Sequence, residues 1–116
     1  MKIEKFEDIN AWQKSKFLTL LIYKTFGNQK DYGFRDQIQR ASVSVMNNIA
    51  EGFERKGDKE FRHFLSIAKG SCGEVRSMLY LGHELKYITK KEFDELYSTA
   101  VETSKIIAGL MRVLNF

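Results

Sequence analysis

The stretch FRHFLSIAKGSCGEVRSMLYLG, residues 61–82, decides the fold because its apolar residues recur with the period of an α-helix. The spacing between them alternates between four and three residues for about three heptads. This stripe consists of Phe61, Leu65, Ala68, Cys72, Val75, Leu79 and Gly82. A stripe of this length predicts a long amphipathic helix that buries one face against other helices.

Three further helices flank this stretch, each marked by apolar positions three and four residues apart. The stripe of the first consists of Ala11, Ser15, Leu18, Ile22 and Phe26. The stripe of the second consists of Phe34, Ile38, Ala41, Val45, Ile49 and Gly52. The stripe of the fourth consists of Phe93, Tyr97, Ala100, Ser104, Ile107, Met111 and Leu114. The pattern therefore predicts an all-α protein with four helices.

Capping residues and turns predict where these helices begin and end. We expect helices at about 8–26, 32–55, 58–87 and 89–115 of one domain, residues 1–116. The first begins at Asp8, or at Asn10 with Gln13 as its capping-box partner. The other predicted caps are Asp58 for the third helix and the capping box of Thr89 with Glu92 for the fourth. Because the turns are short and the chain has no proline, we expect an antiparallel up-down-up-down four-helix bundle.

Composition places the chain among globular proteins that work in a reducing compartment. Hydrophobic residues make up 43% of the 116 residues, which is enough to fill a core. Cys72 is the single cysteine, so an internal disulfide is excluded, and the N-terminal segment lacks the apolar run of a signal peptide. No apolar run approaches the roughly 20 residues that cross a bilayer. We expect a cytoplasmic protein that does not enter the membrane.

The sequence lacks the residue patterns that are typical of an enzyme active site or a metal site. Glu60 and His63 form one E-x-x-H pair at helical spacing, but a di-iron bundle needs two, and His83 has no second partner of this kind. Zinc-binding spacings of cysteine and histidine are also missing. Cys72 lies on an apolar stripe, where a thiol is expected to be buried and inert. We therefore expect a non-enzymatic protein without catalytic residues, metal ligands or a cofactor.

Polar residues interrupt the second and third helices at positions where apolar residues are expected. With the turn near residue 57, antiparallel pairing brings the middle of the second helix next to the middle of the third. Polar groups buried there need hydrogen-bond partners. We expect a network between the two helices that fixes their register, built from Arg40, Ser44, Asn48, Glu51, Ser71 and Glu74. Gly70 and Gly73 lie in the same region and suggest a close approach of the two backbones.

Several helices carry a second apolar stripe that one bundle does not require. It comprises Phe17, Leu20 and Leu21 on the first helix, Val43, Met46, Ala50 and Phe53 on the second, and Phe64, Ile67, Met78, Leu81 and Leu85 on the third. Exposed apolar patches of this size are typical of subunit interfaces, so we expect a homo-oligomer. The alternative is a thicker single bundle in which these residues pack on the flanks of the core.

The net charge of +4 is concentrated near the start of the chain, where residues 1–30 hold six lysines and three acidic residues. Such a segment could meet the phosphates of RNA or DNA. The first candidates for nucleic-acid contacts are Lys2, Lys5, Lys14, Lys16 and Lys24, and the second candidates are Arg62, Lys69 and Arg76. Trp12, Tyr23 and Tyr32 could stack on bases. The alternative is an adaptor that binds another protein, with no role for nucleic acid.

The segments SVMNNIAEG and KEFRHFLSIAKGSCGE, residues 44–52 and 59–74, resemble the bacterial family of 23S rRNA intervening-sequence proteins. FEDINAWQKS near the start and YGFRDQIQRA before Ser44 are similar to further blocks of that family, although Ser15, Cys72 and Gly73 depart from it. The resemblance implies a four-helix bundle that assembles into a ring, a pentamer. It also implies kinship with the accessory protein of diversity-generating retroelements, a basic pentamer that binds nucleic acid and a reverse transcriptase. The activity of the family itself is not established, so no reaction follows.

Overall fold

The structure is a computed structural model that describes residues 3–114. It contains four α-helices, as the helical periodicity of the sequence predicts. After a 3-10 turn at Phe6–Asp8, the helices are α1 (Asn10–Phe26), α2 (Tyr32–Glu54), α3 (Asp58–Glu84) and α4 (Lys90–Arg112). α1 and α3 each pack against both α2 and α4, so α1 and α3 occupy opposite corners. The predicted all-helical, four-helix bundle is confirmed. No helix within residues 3–114 is both long enough and apolar enough to cross a bilayer.

The predicted stripes of α1, α2 and α3 are buried at every position, whereas that of α4 is buried at Ala100, Ser104 and Ile107 and half-buried at its other four positions. The buried residues along α4 include Leu96, Ala100, Thr103, Ile107 and Leu110. Phe93 and Tyr97 are only half-buried and lie against Tyr80 of α3. Thr103 can be buried because its hydroxyl donates to the carbonyl of Thr99 at 2.7 Å, within the same helix.

The second apolar stripes divide into a covered part and an exposed part. The members on α2, together with Leu21, Phe64 and Met78, are half-buried on the flanks of the bundle. Phe17 and Leu20 on α1 stay exposed, with exposed fractions of 49% and 59%. Ile67, Leu81 and Leu85 at the opposite corner are exposed as well. Packing on the flanks of the bundle therefore explains the second apolar stripe of α2, while α1 and α3 each retain an apolar patch open to water.

One predicted capping box is present, and two predicted N-cap residues are wrong by one position. The helices themselves begin at Asn10 and Asp58, which are among the predicted starts. Thr89 accepts a hydrogen bond from the backbone of Glu92, whose carboxylate accepts one in return. The N-cap of α1 is Ile9, and the Gln13 amide donates to the Glu7 carbonyl of the preceding 3-10 turn. α3 is preceded by Gly57 at φ 150°, which leaves Asp58 as the first helical residue. There its carboxylate lies at the positive end of the helix dipole and still favours this helix end.

α3 ends about one turn earlier than predicted because the chain reverses at Lys86, whose φ is 64°. The amide of Tyr87 donates to the carbonyl of Gly82 at 2.8 Å and that of Lys86 to His83 at 3.0 Å, which closes a Schellman motif. The Tyr87 hydroxyl then donates to the carboxylate of Asp31, the N-cap of α2, at 2.7 Å. This hydrogen bond lowers the pKa of the Asp31 carboxyl. It joins the end of α3 to the start of α2.

The glycines that allow close helix packing are not the ones predicted. A Cβ at Gly70 would meet nothing within 4 Å, and one at Gly73 would meet only the Arg76 side chain at 3.6 Å. A Cβ at Gly52 would lie 2.6 Å from the Cβ of Phe64 and 3.3 Å from the Phe61 carbonyl oxygen. The backbones of α2 and α3 therefore approach most closely near their shared turn, and not at mid-helix.

A matched pair of glycine substitutions tests this packing. Gly52→Ala should lower the free energy of unfolding by about 1–3 kcal/mol, because the new methyl group cannot fit without moving Phe64. Gly70→Ala should raise it by up to about 1 kcal/mol, because alanine stabilises an exposed helix interior. Urea unfolding followed by circular dichroism measures both. Equal effects of the two substitutions would contradict the assigned packing.

Candidate nucleic-acid interface

A hydrogen bond between two serine hydroxyls joins α2 to α3 at mid-helix, and an asparagine on α2 supports it. The hydroxyl oxygens of Ser44 and Ser71 lie 2.9 Å apart and share a hydrogen bond. The Asn48 amide donates to the carbonyl of Ser44 at 2.8 Å and to its hydroxyl at 3.0 Å. Ser71 is buried and the other two are half-buried, so each hydrogen bond replaces one lost to water. The contact specifies which turns of the two helices face each other.

The charged residues predicted for this network do not join it. Glu51 is exposed and accepts a hydrogen bond from Arg55 at 2.8 Å, one turn along α2. Arg40 and Glu74 line one groove between α2 and α3, with a volume of about 460 Å³. Among the ion pairs of residues 3–114, none connects these two side chains. Both are exposed, so water solvates their charges without an ion pair.

A second polar contact, between α1 and α2, was missed by the sequence reasoning. The Thr19 hydroxyl is shared between the carbonyl of Ser42 on α2, at 3.0 Å, and that of Ser15 on its own helix, at 2.9 Å. All three residues are buried. The only sequence signal of this contact was Ser15 on the apolar stripe of α1, because Thr19 and Ser42 lie beside the predicted stripes and not on them.

Cys72 and the histidines form no reactive centre in the part of the chain that the structure describes. The Cys72 thiol is fully buried and donates to the Ala100 carbonyl at 3.2 Å. Burial raises the pKa of this thiol to about 11, against the opposing charges of Arg76 and Lys69, so it stays protonated at neutral pH. Glu60 and His63 are exposed near the start of α3. Residues 3–114 contain no cluster of three metal-ligating side chains.

The lysines that were first candidates for nucleic-acid contacts do not form one surface. Lys2 lies outside the described residues, and Lys5 is exposed before the 3-10 turn. Lys14 forms an ion pair with Glu102 of α4. Lys16 lies over the Trp12 ring on another side of α1, 5.5 Å from its centroid, and Lys24 is exposed near the end of the helix. At about 100° per residue, these side chains leave α1 in different directions.

The second candidates, in contrast, lie in one row along α3. Arg62, Lys69 and Arg76 are seven residues apart, so each is displaced by only about 20° around the helix from the one before. The row is about 21 Å long at 1.5 Å per residue. Tyr80, one helical turn beyond Arg76, contacts Phe93 and Tyr97 of α4. The row therefore lies on the side of α3 that faces α4.

α4 adds Lys105 to this surface, and the nearest acids on this side of the two helices lie at its ends, Asp58 one turn before Arg62 and Asp94 near the start of α4. The contact of Cys72 with Ala100 fixes an antiparallel register in which Lys69 lies opposite the turn of α4 that holds Lys105. We call Arg62, Lys69, Arg76 and Lys105 the basic row. Between 62 and 80 the only acid on α3 is Glu74, which lines the groove with α2. Between 97 and 112 the only acid on α4 is Glu102, which pairs with α1.

Within the basic row, the side chain of Arg76 is partly buried. Its Nε atom is buried and has no hydrogen-bond acceptor, although the residue as a whole is half-buried. One terminal nitrogen lies 3.6 Å from the position that a Cβ of Gly73 would occupy. The guanidinium thus extends back over Gly73, where the missing side chain leaves it room. A donor deprived of both water and an acceptor costs about 1–3 kcal/mol, so an external acceptor would have to bind the terminal nitrogens of the guanidinium.

Four aromatic rings continue the surface beyond Arg76, and we call them the aromatic cluster: Tyr80, His83, Phe93 and Tyr97. Phe93 and Tyr97 stack with their ring centroids 5.3 Å apart, and Tyr80 contacts both at 5.3 Å. The hydroxyl of Tyr97 forms a hydrogen bond that raises the pKa of the Tyr80 phenol. Tyr80 is 51% exposed and lies one helical turn beyond Arg76. The α3–α4 face therefore combines fixed positive charge with an open aromatic ring.

The fold defines the class of protein as an antiparallel four-helix bundle with a row of cations on its α3–α4 face. The chain belongs to the family of 23S rRNA-intervening sequence proteins, whose family model matches residues 7–109. A solved structure from Bacteroides thetaiotaomicron, described as a protein of unknown function from the S23 ribosomal protein family, has the same fold. It is 24% identical, with a TM-score of 0.82 over 89% of this chain and 99% of that one. A search of curated proteins finds no match.

The hydroxyl contact between α2 and α3 can be tested against the charged residues beside it. Ser71→Ala should lower the free energy of unfolding by about 0.5–1.5 kcal/mol, because the Ser44 hydroxyl loses its partner across the interface. Glu74→Gln should change it by less than about 0.5 kcal/mol, because that carboxylate is exposed and makes no ion pair with Arg40. Chemical denaturation measures both. If Glu74→Gln lowered the free energy of unfolding more than Ser71→Ala, the result would support the predicted charged network and contradict this assignment.

Proposed function

We propose that this protein is a non-enzymatic, homo-oligomeric helical bundle that binds the backbone of RNA or DNA through its α3–α4 face. The observation that carries the proposal is the basic row, in which four cations share one surface while Glu74 and Glu102 are turned away from it. Lysine and arginine bind phosphates without reading sequence, so the proposed contact is with the backbone.

The family supports the same class of ligand. Its description refers to an intervening sequence of 23S rRNA, and the similar Bacteroides protein is described as belonging to a ribosomal protein family. The resemblance to the accessory protein of diversity-generating retroelements likewise implies a basic bundle that binds nucleic acid. A cytoplasmic location, where RNA is abundant, fits the proposal. None of these likenesses implies a reaction, and the proposed role is binding.

The apolar patches at opposite corners support assembly into a ring. The patch on α1 (Phe17 and Leu20) and the patch on α3 (Leu81 and Leu85) differ, so a contact between them is head-to-tail, and such contacts close into a ring when the rotation between subunits allows it. Leu81 lies roughly 140° around α3 from Arg76, so such a contact leaves the basic row open. We propose a ring, with the pentamer that the resemblance implies.

A second candidate function is a protein-binding adaptor, and one feature favours it. The groove between α2 and α3 holds Arg40 and Glu74 on its two sides with Met78 between them, and it could seat a segment of another protein. An adaptor of this kind would bind through the groove and would show no dependence on the basic row.

Charge substitutions test the proposed nucleic-acid interface. Lys69→Gln with Lys105→Gln should weaken binding of a single oligonucleotide about tenfold at low salt. It should also reduce the slope of log affinity against log salt by about 1 for each lysine that contacts a phosphate. Lys24→Gln with Lys30→Gln removes the same charge from exposed sites elsewhere and should retain most of the affinity. Fluorescence anisotropy across a salt series measures both. A native protein without a salt slope would favour the adaptor.

Complementary variants test the ring. Leu20→Lys and Leu81→Lys each disable one patch and should each give a monomer, while the native protein forms a larger species. Mixed in equal amounts, the two variants retain one intact pair of patches between them and should form a dimer, twice the 13.5 kDa chain mass. Light scattering measures all four samples. A monomeric native protein at micromolar concentration, or a mixture that stays monomeric, would overturn the head-to-tail ring.

A further inference from the structure

We propose that the α3–α4 face selects single-stranded nucleic acid, by stacking a base on Tyr80 while Arg76 holds the neighbouring phosphate. The inference rests on the proposed function and adds to it the strandedness of the ligand. It depends on three observations. The Tyr80 ring is exposed and packs on two other rings, the Arg76 guanidinium is held over Gly73, and the other candidate aromatic residues lie away from the basic row or are already in contact.

Tyr80 has the properties of a stacking platform. Half of its surface is open to water, while its ring is supported by Phe93 and Tyr97 at centroid distances of 5.3 Å. A ring that is already held in place loses little conformational freedom when a ligand binds. Aromatic side chains stack on any base, which gives affinity for single strands without sequence preference.

Arg76 is placed to bind the phosphate next to such a base. Its backbone lies about 6 Å before that of Tyr80 along the helix axis, and its side chain reaches back over Gly73, so the guanidinium lies about 10 Å from Tyr80 along the axis. Its buried Nε donor has no acceptor in the protein, and its more exposed atoms lie at the α3–α4 surface. A phosphate at this place would meet a guanidinium that is already positioned over Gly73, with Lys69 about 6 Å further along the helix.

The two contacts together discriminate against a duplex. In double-stranded nucleic acid the bases are stacked inside, and a protein reaches a base face only after paying the cost of unstacking it. A duplex could therefore use the basic row but not Tyr80. A single strand could use both, because its bases can turn outward while the backbone follows the cations.

The aromatic residues favoured by the sequence are less suitable for this contact. Tyr32 already has the Arg35 guanidinium over its ring at 4.8 Å. Trp12 is half-buried and contacts Phe6 edge-on at 5.2 Å. Tyr23 is 44% exposed but lies on α1, which does not contact α3. Tyr80 is the exposed aromatic residue one turn from the basic row, and Tyr23 serves as its matched control.

The experiment compares four labelled probes of equal length by fluorescence anisotropy: single-stranded RNA, single-stranded DNA, duplex DNA and an abasic strand that keeps the phosphates and lacks the bases. The full-length protein should bind both single strands about tenfold or more tightly than the abasic strand. Tyr80→Leu should remove that difference and leave the affinity for the abasic strand unchanged. Tyr23→Leu should preserve the difference. Circular dichroism and the thermal midpoint check that both variants are folded.

The outcomes separate this inference from the proposed function. If all four probes bind equally and the native protein shows a salt slope, the nucleic-acid interface stands and the single-strand selection is wrong. The selection is also overturned if Tyr80→Leu weakens binding to the abasic strand as much as to the intact strands. If no probe binds, the proposed function fails and the inference with it. A difference between the RNA and DNA strands that Tyr80→Leu does not alter would assign the 2′-hydroxyl to other residues and leave stacking on Tyr80 supported.

Discussion

The seven-residue repeat of α3 is the constraint on which both the fold and the candidate interface depend. Phe61, Ala68 and Val75 are buried because a heptad spacing keeps one face of a helix directed at its partners. The residues that directly follow them in sequence are Arg62, Lys69 and Arg76. These three must lie in an equally straight row, offset by about 100° from the core. The alignment of the cations is thus a geometric consequence of the pattern that builds the core.

Short polar side chains set the register that this arrangement needs. The Ser44 and Ser71 hydroxyls satisfy each other across the α2–α3 contact, and the Thr19 hydroxyl reaches the backbone of Ser42 across α1–α2. A slip of either helix would leave these groups buried without partners, at a cost of about 1–3 kcal/mol each. Apolar contacts tolerate such a slip far better because they are not directional. The stripes therefore hold the helices together, and the hydroxyls determine which turns meet.

A structural feature can be predicted from the sequence when the residues that cause it lie close together in the chain. The capping box of Thr89 with Glu92 involves residues three apart and is readable from sequence, as are the buried stripes of α1 to α3. Gly52 lies on a predicted stripe, but only the neighbouring helix shows that Gly52, and not Gly70, is the glycine at which the backbones approach closely. The candidate interface depends on the same kind of information. Counting charges along the chain favoured α1, whereas the basic row is recognised only when α4 is seen to pack beside the side of α3 that carries it.

α3 is thereby divided into sides with different uses. One side is core, the side toward α2 carries the apolar patch that includes Leu81, and the side toward α4 carries the basic row. In the proposed ring these uses do not compete, because a subunit contact at the apolar patch leaves the α3–α4 face in water. The ring would also repeat that face once per subunit. A strand that contacts several copies gains effective concentration at each further contact, so a few cations per subunit can suffice for tight binding. A net charge of only +4 per chain is therefore compatible with a nucleic-acid-binding assembly.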